Sequence, residues 1–158
     1  YLYDAITGAL LQTFNNPTNP TPSSIDAFGI AVSILGDKVL IGASGDKVAG
    51  YNGAGSAYLY DAITGALLQT FNNPTPWAYE YDHFGWSISI SGNKVLIGVP
   101  FKNTMEGVDT GLAYLYDATT GALLQTFNNP TPSAYDQFGE SVSISDDKVW
   151  IGASGDDA

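Results

Sequence analysis

The sequence predicts an all-β chain, a β-propeller segment carrying three blades of four antiparallel strands, and three observations lead there. Residues 1–18 recur almost unchanged from Tyr58 and from Tyr114, at spacings of 57 and 56 residues. Each period holds four short runs with strand patterning. Pairs of Gly, Asn and Asp punctuate those runs. A period of this size, filled with strands and turns, marks a repeat architecture whose units bury their faces on one another. Four antiparallel strands repeated radially is the layout of a propeller blade; a β-solenoid, the main competitor, has much shorter rungs.

The first run of each blade is Phe84-Gly85-Trp86-Ser87-Ile88-Ser89-Ile90, with counterparts from Phe28 and Phe138. Trp86, Ile88 and Ile90 alternate with Ser87 and Ser89, the period of a strand, and the serines let a neighbouring sheet approach closely. The second run, Lys94-Val95-Leu96-Ile97-Gly98, is continuously apolar and suits a strand covered on both faces. Gly36-Asp37, Gly92-Asn93 and Asp146-Asp147 join these runs, and such residues tolerate the positive φ of tight hairpins. The third run is 57–61 and the fourth 66–71. In the link between them, Asp61 accepts from backbone amides and Gly65 takes a left-handed conformation. Pro74 then ends the ladder because it has no N–H to donate.

This parsing places blade 1 at about 28–73 and blade 2 at about 84–129. Blade 3 takes its first two strands from about 138–158 and its last two from 1–16, the phasing of a circular permutation. The junction is about eleven residues shorter than the repeat, equivalent to 47–57, so either that loop is lost or the continuation lies in another chain or outside this stretch. Propellers have four to eight blades, and a wedge of three leaves apolar flanks open that normally mark an interface. The expected partner is therefore a second copy, a homodimer giving six blades by twofold symmetry, or further blades of a longer polypeptide.

Composition narrows function. Five lysines, no arginine and sixteen acidic residues give a net charge of −11. That surface repels phosphate backbones and anionic bilayers, which argues against nucleic acid and membrane surfaces as partners. No run approaches the roughly twenty apolar residues of a membrane span, so no membrane insertion is expected. With no cysteine, disulfides and thiolate metal sites are excluded.

With the strands laid out, the repeat resembles the FG-GAP family, the blades of integrin-α-type propellers and their bacterial relatives. The resemblance rests on Phe28-Gly29, Phe84-Gly85 and Phe138-Gly139 at the start of strand one. Gly42-Ala43-Ser44, Gly98-Val99-Pro100 and Gly152-Ala153-Ser154 follow strand two, where the family has Gly-Ala-Pro. It implies a non-enzymatic binding, adhesion or scaffolding module, extracellular or on the cell surface. Calcium-binding members carry an Asp-rich loop between strands one and two; here that loop is a two-residue hairpin. Residues 60–68 are also similar to blades of quinoprotein-type propellers, but Gln12, Gln69 and Gln125 stand where those have tryptophan.

Strand direction alternates, so the long, divergent loops share one rim, where binding residues concentrate. The loop from Trp77 through Tyr79 and Tyr81 to His83 is the richest, and Tyr135 is its counterpart in the next repeat. Clustered aromatics beside acids stack on sugar rings or anchor a protein partner, so a protein or glycan ligand is expected at Trp77, Tyr79, Tyr81, His83 and Tyr135. The plainer reading is that these rings cover the ends of adjacent blades. His83, the single histidine, has no serine or cysteine partner for a triad. Asp26, Asp82 and Asp136, like Asp4, Asp61 and Asp117, recur in every repeat, which points to turn chemistry. Paired-carboxylate hydrolysis needs two acids in one unique cleft, and no catalytic residue is assigned. Asp46, Asp109, Asp156 and Asp157 offer oxygen ligands that suit a hard cation such as Ca2+ together with backbone carbonyls; no other cofactor is expected. A carbohydrate-binding propeller and an enzyme on a propeller scaffold are the rival readings, the latter with Glu140 as its one non-repeating inner acid.

Overall fold

A computed structural model describes residues 1–18, 25–76 and 81–156. The described residues form twelve strands. β3 (Phe28–Leu35), β4 (Lys38–Ala43), β5 (Ser56–Asp61) and β6 (Leu67–Asn72) make one antiparallel sheet in sequential order. β7 (Ser87–Ser91), β8 (Lys94–Val99), β9 (Leu112–Asp117) and β10 (Leu123–Asn128) make the second. These are four-stranded blades, as the repeat predicts. The expected third blade is present as two separate two-stranded sheets: β1 (Leu2–Tyr3) with β2 (Leu10–Gln12), and β11 (Ser141–Ser145) with β12 (Lys148–Gly152).

Turn chemistry sets the register. Gly36, Gly92 and Asp146 open the tight hairpins with φ of 55°, 55° and 52°. In each outer turn one aspartate organises the backbone. Asp61 Oδ1 accepts from the amides of Ile63 and Thr64 at 3.0 and 2.7 Å and from the Thr64 hydroxyl at 2.8 Å. Asp4 and Asp117 repeat the pattern. Those donors hold all three carboxyls below the usual carboxylate range, led by the backbone amides of Thr64, Thr7 and Thr120. The recurring acids are structural, as their periodicity suggests.

The core lies between blades. Leu40, Leu59 and Phe71 of blade 1 meet Ile88, Ile90, Val95, Ile97, Tyr114 and Tyr116 of blade 2. On the other side of blade 2, Leu96 and Ala113 meet Val142 and Ile144 of the last hairpin. The first hairpin packs at the opposite end, where Leu2 and Phe14 rest on Val39, Ile41, Tyr58 and Tyr60. Each central strand therefore sends alternate residues to the two neighbours, which explains its continuous apolar sequence. Close approach at the seams requires glycine. A Cβ on Gly42 would lie 2.1 Å from the Gly85 carbonyl oxygen, and one on Gly98 would lie 2.0 Å from that of Gly139.

The first strands differ from expectation at one residue. Ile88 and Ile90 are buried between blades. Trp86, predicted in the same row, is half-buried and turns to the rim, where its ring meets His83 and Phe101.

Candidate ligand-binding cleft

The long-loop rim of blade 2 carries an open cleft of about 500 Å³ lined by Tyr81, His83, Trp86, Phe101, Asn103, Val108 and Asp109. Its floor is built from the backbone upward. The amides of His83 and Phe84 donate to the carbonyls of Gly53 and Ala54 in blade 1, at 3.0 and 3.1 Å, which fixes the approach to β7. His83 and Gly85 adopt positive φ of 56° and 87°, turning the chain so that the Trp86 amide reaches the His83 carbonyl at 3.0 Å. Gly53 makes room for the Tyr81 ring, whose Cδ1 would be 2.2 Å from an added Cβ.

Four rings gather there. His83 stacks on Tyr81 with centroids 6.0 Å apart and meets Phe101 edge-on at 5.4 Å. Trp86 and Phe101 form a perpendicular pair at 5.2 Å. His83 Nδ1 lies 3.0 Å from the Ser44 carbonyl oxygen. A carbonyl only accepts, so Nδ1 carries the proton and donates. The histidine thus ties two blades together while its ring joins the aromatic wall. Tyr81 is 59% exposed and Tyr135 is 61% exposed. The Tyr135 amide donates to the Val108 carbonyl at 2.8 Å, which fastens its loop to one lining residue of the cleft.

Beneath the rim sits a buried ion pair. Lys102 Nζ donates to Asp82 Oδ2 at 2.9 Å and to the Thr75 carbonyl at 2.8 Å, and Asn73 donates to the same carboxylate oxygen at 2.6 Å. Asp46 and Asp156 occupy the position of Lys102 in the other two repeats. Asp46 is buried and accepts from Asn16 at 2.7 Å and from the Tyr58 hydroxyl. Burial, with a smaller contribution from the charge of Asp26, raises its carboxyl above the ordinary range. Burial also pushes the Tyr60 hydroxyl up to about 12.

Of the five residues expected to bind a ligand, Tyr81 and His83 line the cleft and Tyr135 stands on the adjoining loop. Trp77 and Tyr79 lie outside the described residues. Asp46, Asp109 and Asp156 fall in three different repeats and do not converge; Asp157 is outside the described residues. Among the described residues, no group of three or more His, Asp and Glu side chains is placed to hold a metal ion. Trp86, Phe101 and Asn103 were missed. Each departs from the repeat, since Ile30 and Glu140 match Trp86, Gly45 and Gly155 match Phe101, and Lys47 matches Asn103. Departure from periodicity was the available signal.

The model of the FG-GAP repeat matches three regions, residues 21–60, 78–116 and 131–158. This chain belongs to the FG-GAP repeat family. The matched regions coincide with the first three strands of blades 1 and 2 and with the last hairpin, so FG-GAP periodicity and strand periodicity agree. Comparison with curated proteins gives no match. Among solved structures, the computationally designed Ika4 protein is 15% identical, with 93% of each chain covered and a TM-score of 0.39. The computationally designed Ika8 protein is also 15% identical, covering 81% of this chain and 43% of its own, with a TM-score of 0.35. Similarity at that level bears on neither ligand nor mechanism.

Proposed function

We propose that this FG-GAP domain is a non-enzymatic binding module, working outside the cytoplasm in adhesion or scaffolding, with its ligand seated in the Tyr81–His83–Trp86–Phe101 cleft. The observation that carries this reading is the clustering of four rings on an open rim, three of them, His83, Trp86 and Phe101, drawn from positions where the repeat is broken. Rigid aromatics at the mouth of a fixed scaffold contribute contact area at low entropic cost and are the usual anchors of recognition. Against catalysis, the recurring acids are engaged in the fold: Asp4, Asp61 and Asp117 in turns, Asp82 with Lys102, and Asp136 with Asn129 at 2.7 Å.

A glycan is the second reading, favoured by Asn103 and Asp109 beside the aromatic faces, which combines stacking for a sugar ring with polar groups for hydroxyls. Screening the purified domain on a glycan array and a displayed peptide library separates the two. The proposal expects a ligand whose affinity falls at least tenfold in both Trp86→Ala and Phe101→Ala. Binding unchanged in both variants, or no binding on either panel, contradicts it.

A further inference from the structure

We propose that the two half-blades at the ends of this chain are the halves of one blade completed between two copies, closing a six-bladed ring. The complete blades supply the template. In both, the second strand pairs with the third in a single register: Lys38 with Asp61, Val39 with Tyr60, Leu40 with Leu59 and Ile41 with Tyr58, and likewise Lys94 with Asp117 through Ile97 with Tyr114. At the chain ends the same residues are present but apart. β12 pairs only with β11 and β1 only with β2 among the described residues. Continuing the register sets Lys148 against Asp4 of a second copy, Val149 against Tyr3, Trp150 against Leu2 and Ile151 against Tyr1. The opposition of lysine and aspartate in the register at the hairpin end is thereby repeated.

Side-chain burial fits the same placement. Leu40 and Leu96 are fully buried against the first strand of the following blade, whereas Trp150, at their position, is 78% exposed. At the other end, Val32 and Ile34 are 69% and 57% exposed, although their counterparts Ile88 and Ile90 are buried. Between that row and the first hairpin lies an apolar cleft of about 180 Å³, lined by Tyr1, Leu2, Phe14, Val32, Ile34 and Ile41 among others. Leu96 occupies the corresponding place at the blade 2 seam, in contact with Val142 and Ile144. Trp150 of a second copy is the side chain that fills this cleft. Tyr1 and Tyr3, 83% and 56% exposed, would be covered as Tyr114 and Tyr116 are.

The seam glycines agree. Gly42 faces Gly85 and Gly98 faces Gly139, while a Cβ on Gly152 would meet no backbone oxygen nearer than 3.8 Å and one on Gly29 would meet nothing within 4 Å. They are the two halves of a third seam of the same kind. Residues 1–158 carry three blades' worth of strands, so a ring closed by this stretch alone contains a multiple of three, and two copies give the multiple that falls within the usual four to eight. A head-to-tail ring of two is closed and symmetric, leaving no sheet edge exposed at the junctions.

Solution mass and cross-linking test this, independently of what the aromatic cleft binds. Sedimentation of the chain of residues 1–158 is expected to give twice its 16.7 kDa. Because the chain has no cysteine, two differently tagged variants, Tyr3→Cys and Val149→Cys, are mixed and oxidised, and the expected product is a disulfide joining one of each. Trp150→Glu is expected to return the species to a single chain's mass with an unchanged far-ultraviolet spectrum. A chain that stays single at every concentration, including one that closes only when further blades are supplied, overturns the proposal. So does a mixture that yields no joined product, an outcome that decides the matter even if Trp150→Glu fails to fold.

Discussion

The first strands of blades 1 and 2 carry nearly the same pattern and meet opposite fates. Ile88 and Ile90 on β7 are 8% and 6% exposed, while Val32 and Ile34 on β3 stand in solvent. Both rows alternate, both form strands, and over the apolar row both pair with a second strand in the same register, Val32 with Ile41 as Ile88 with Ile97, although β3 shifts register between Phe28 and Val32. What differs is the neighbour on that flank: among the described residues, Ile88 and Ile90 have blade 1 beside them, while Val32 and Ile34 have only the short first hairpin. Local sequence therefore specifies the strand, but the adjacent blade determines whether its apolar face is buried. Apolar area removed from water stabilises by about 25 cal/mol per Å², so an interior seam and a terminal flank of equal composition differ sharply in energy.

Substitutions that strike interior and flank in turn sharpen the contrast. The largest effect is expected at the buried ion pair. Lys102→Met deprives the buried Asp82 carboxylate of its ammonium partner, and the expected loss in urea unfolding is about 3–5 kcal/mol. Lys148→Met, at an exposed flank position, should cost under about 0.5 kcal/mol in the single chain. Next, Ile88→Ala should lose about 2–5 kcal/mol through the cavity it leaves, whereas Val32→Ala should be near neutral in dilute solution. Equal losses at the two sites would break the comparison.

Gly98→Ala is expected to cost about 1–3 kcal/mol by overpacking the seam against the Gly139 carbonyl. Gly152→Ala should cost less in the single chain, because its nearest neighbour there is the Ser141 hydroxyl, which rotates away more easily than backbone. Differential scanning calorimetry separates the two. The smallest effect is one of pH. Burial raises the Asp46 carboxyl above its ordinary value of 3.8, so the folded state holds the proton more tightly than the unfolded chain. The stability it contributes is full below that value and is lost as pH rises through the raised one. Melting temperatures of Asp46→Asn relative to the parent should therefore climb across that interval. A flat or falling difference would contradict the assignment.

Much of this was legible in the sequence, and the reasons are local. The alternation of Ile88 and Ile90 with serines, the apolar run at 95–97 and the Asp-to-Gly turns act over two to five residues, within reach of pattern reading. The in-phase recurrence of Asp61 and its equivalents was correctly a sign of turn chemistry. Trp86 was misplaced because strand alternation assigns it to the seam, while Phe101, distant in sequence, draws it to the rim. The pairing of Asp82 with Lys102 spans twenty residues and two loops, so no periodicity announces it. The division of the third blade between 138–158 and 1–16 was legible in the phase of the repeat; that the two hairpins stand as separate sheets instead of joining within the chain was not, because strand propensity does not say which edge a strand will find.

Amide hydrogen exchange along β12 tests most directly the claim that these end hairpins are halves of a shared blade. Protection of Lys148–Gly152 should rise with protein concentration toward that of the equivalent strand Lys94–Val99, while β8 itself stays unchanged. Amides of Lys148–Gly152 that exchange equally fast at low and high concentration would contradict the account.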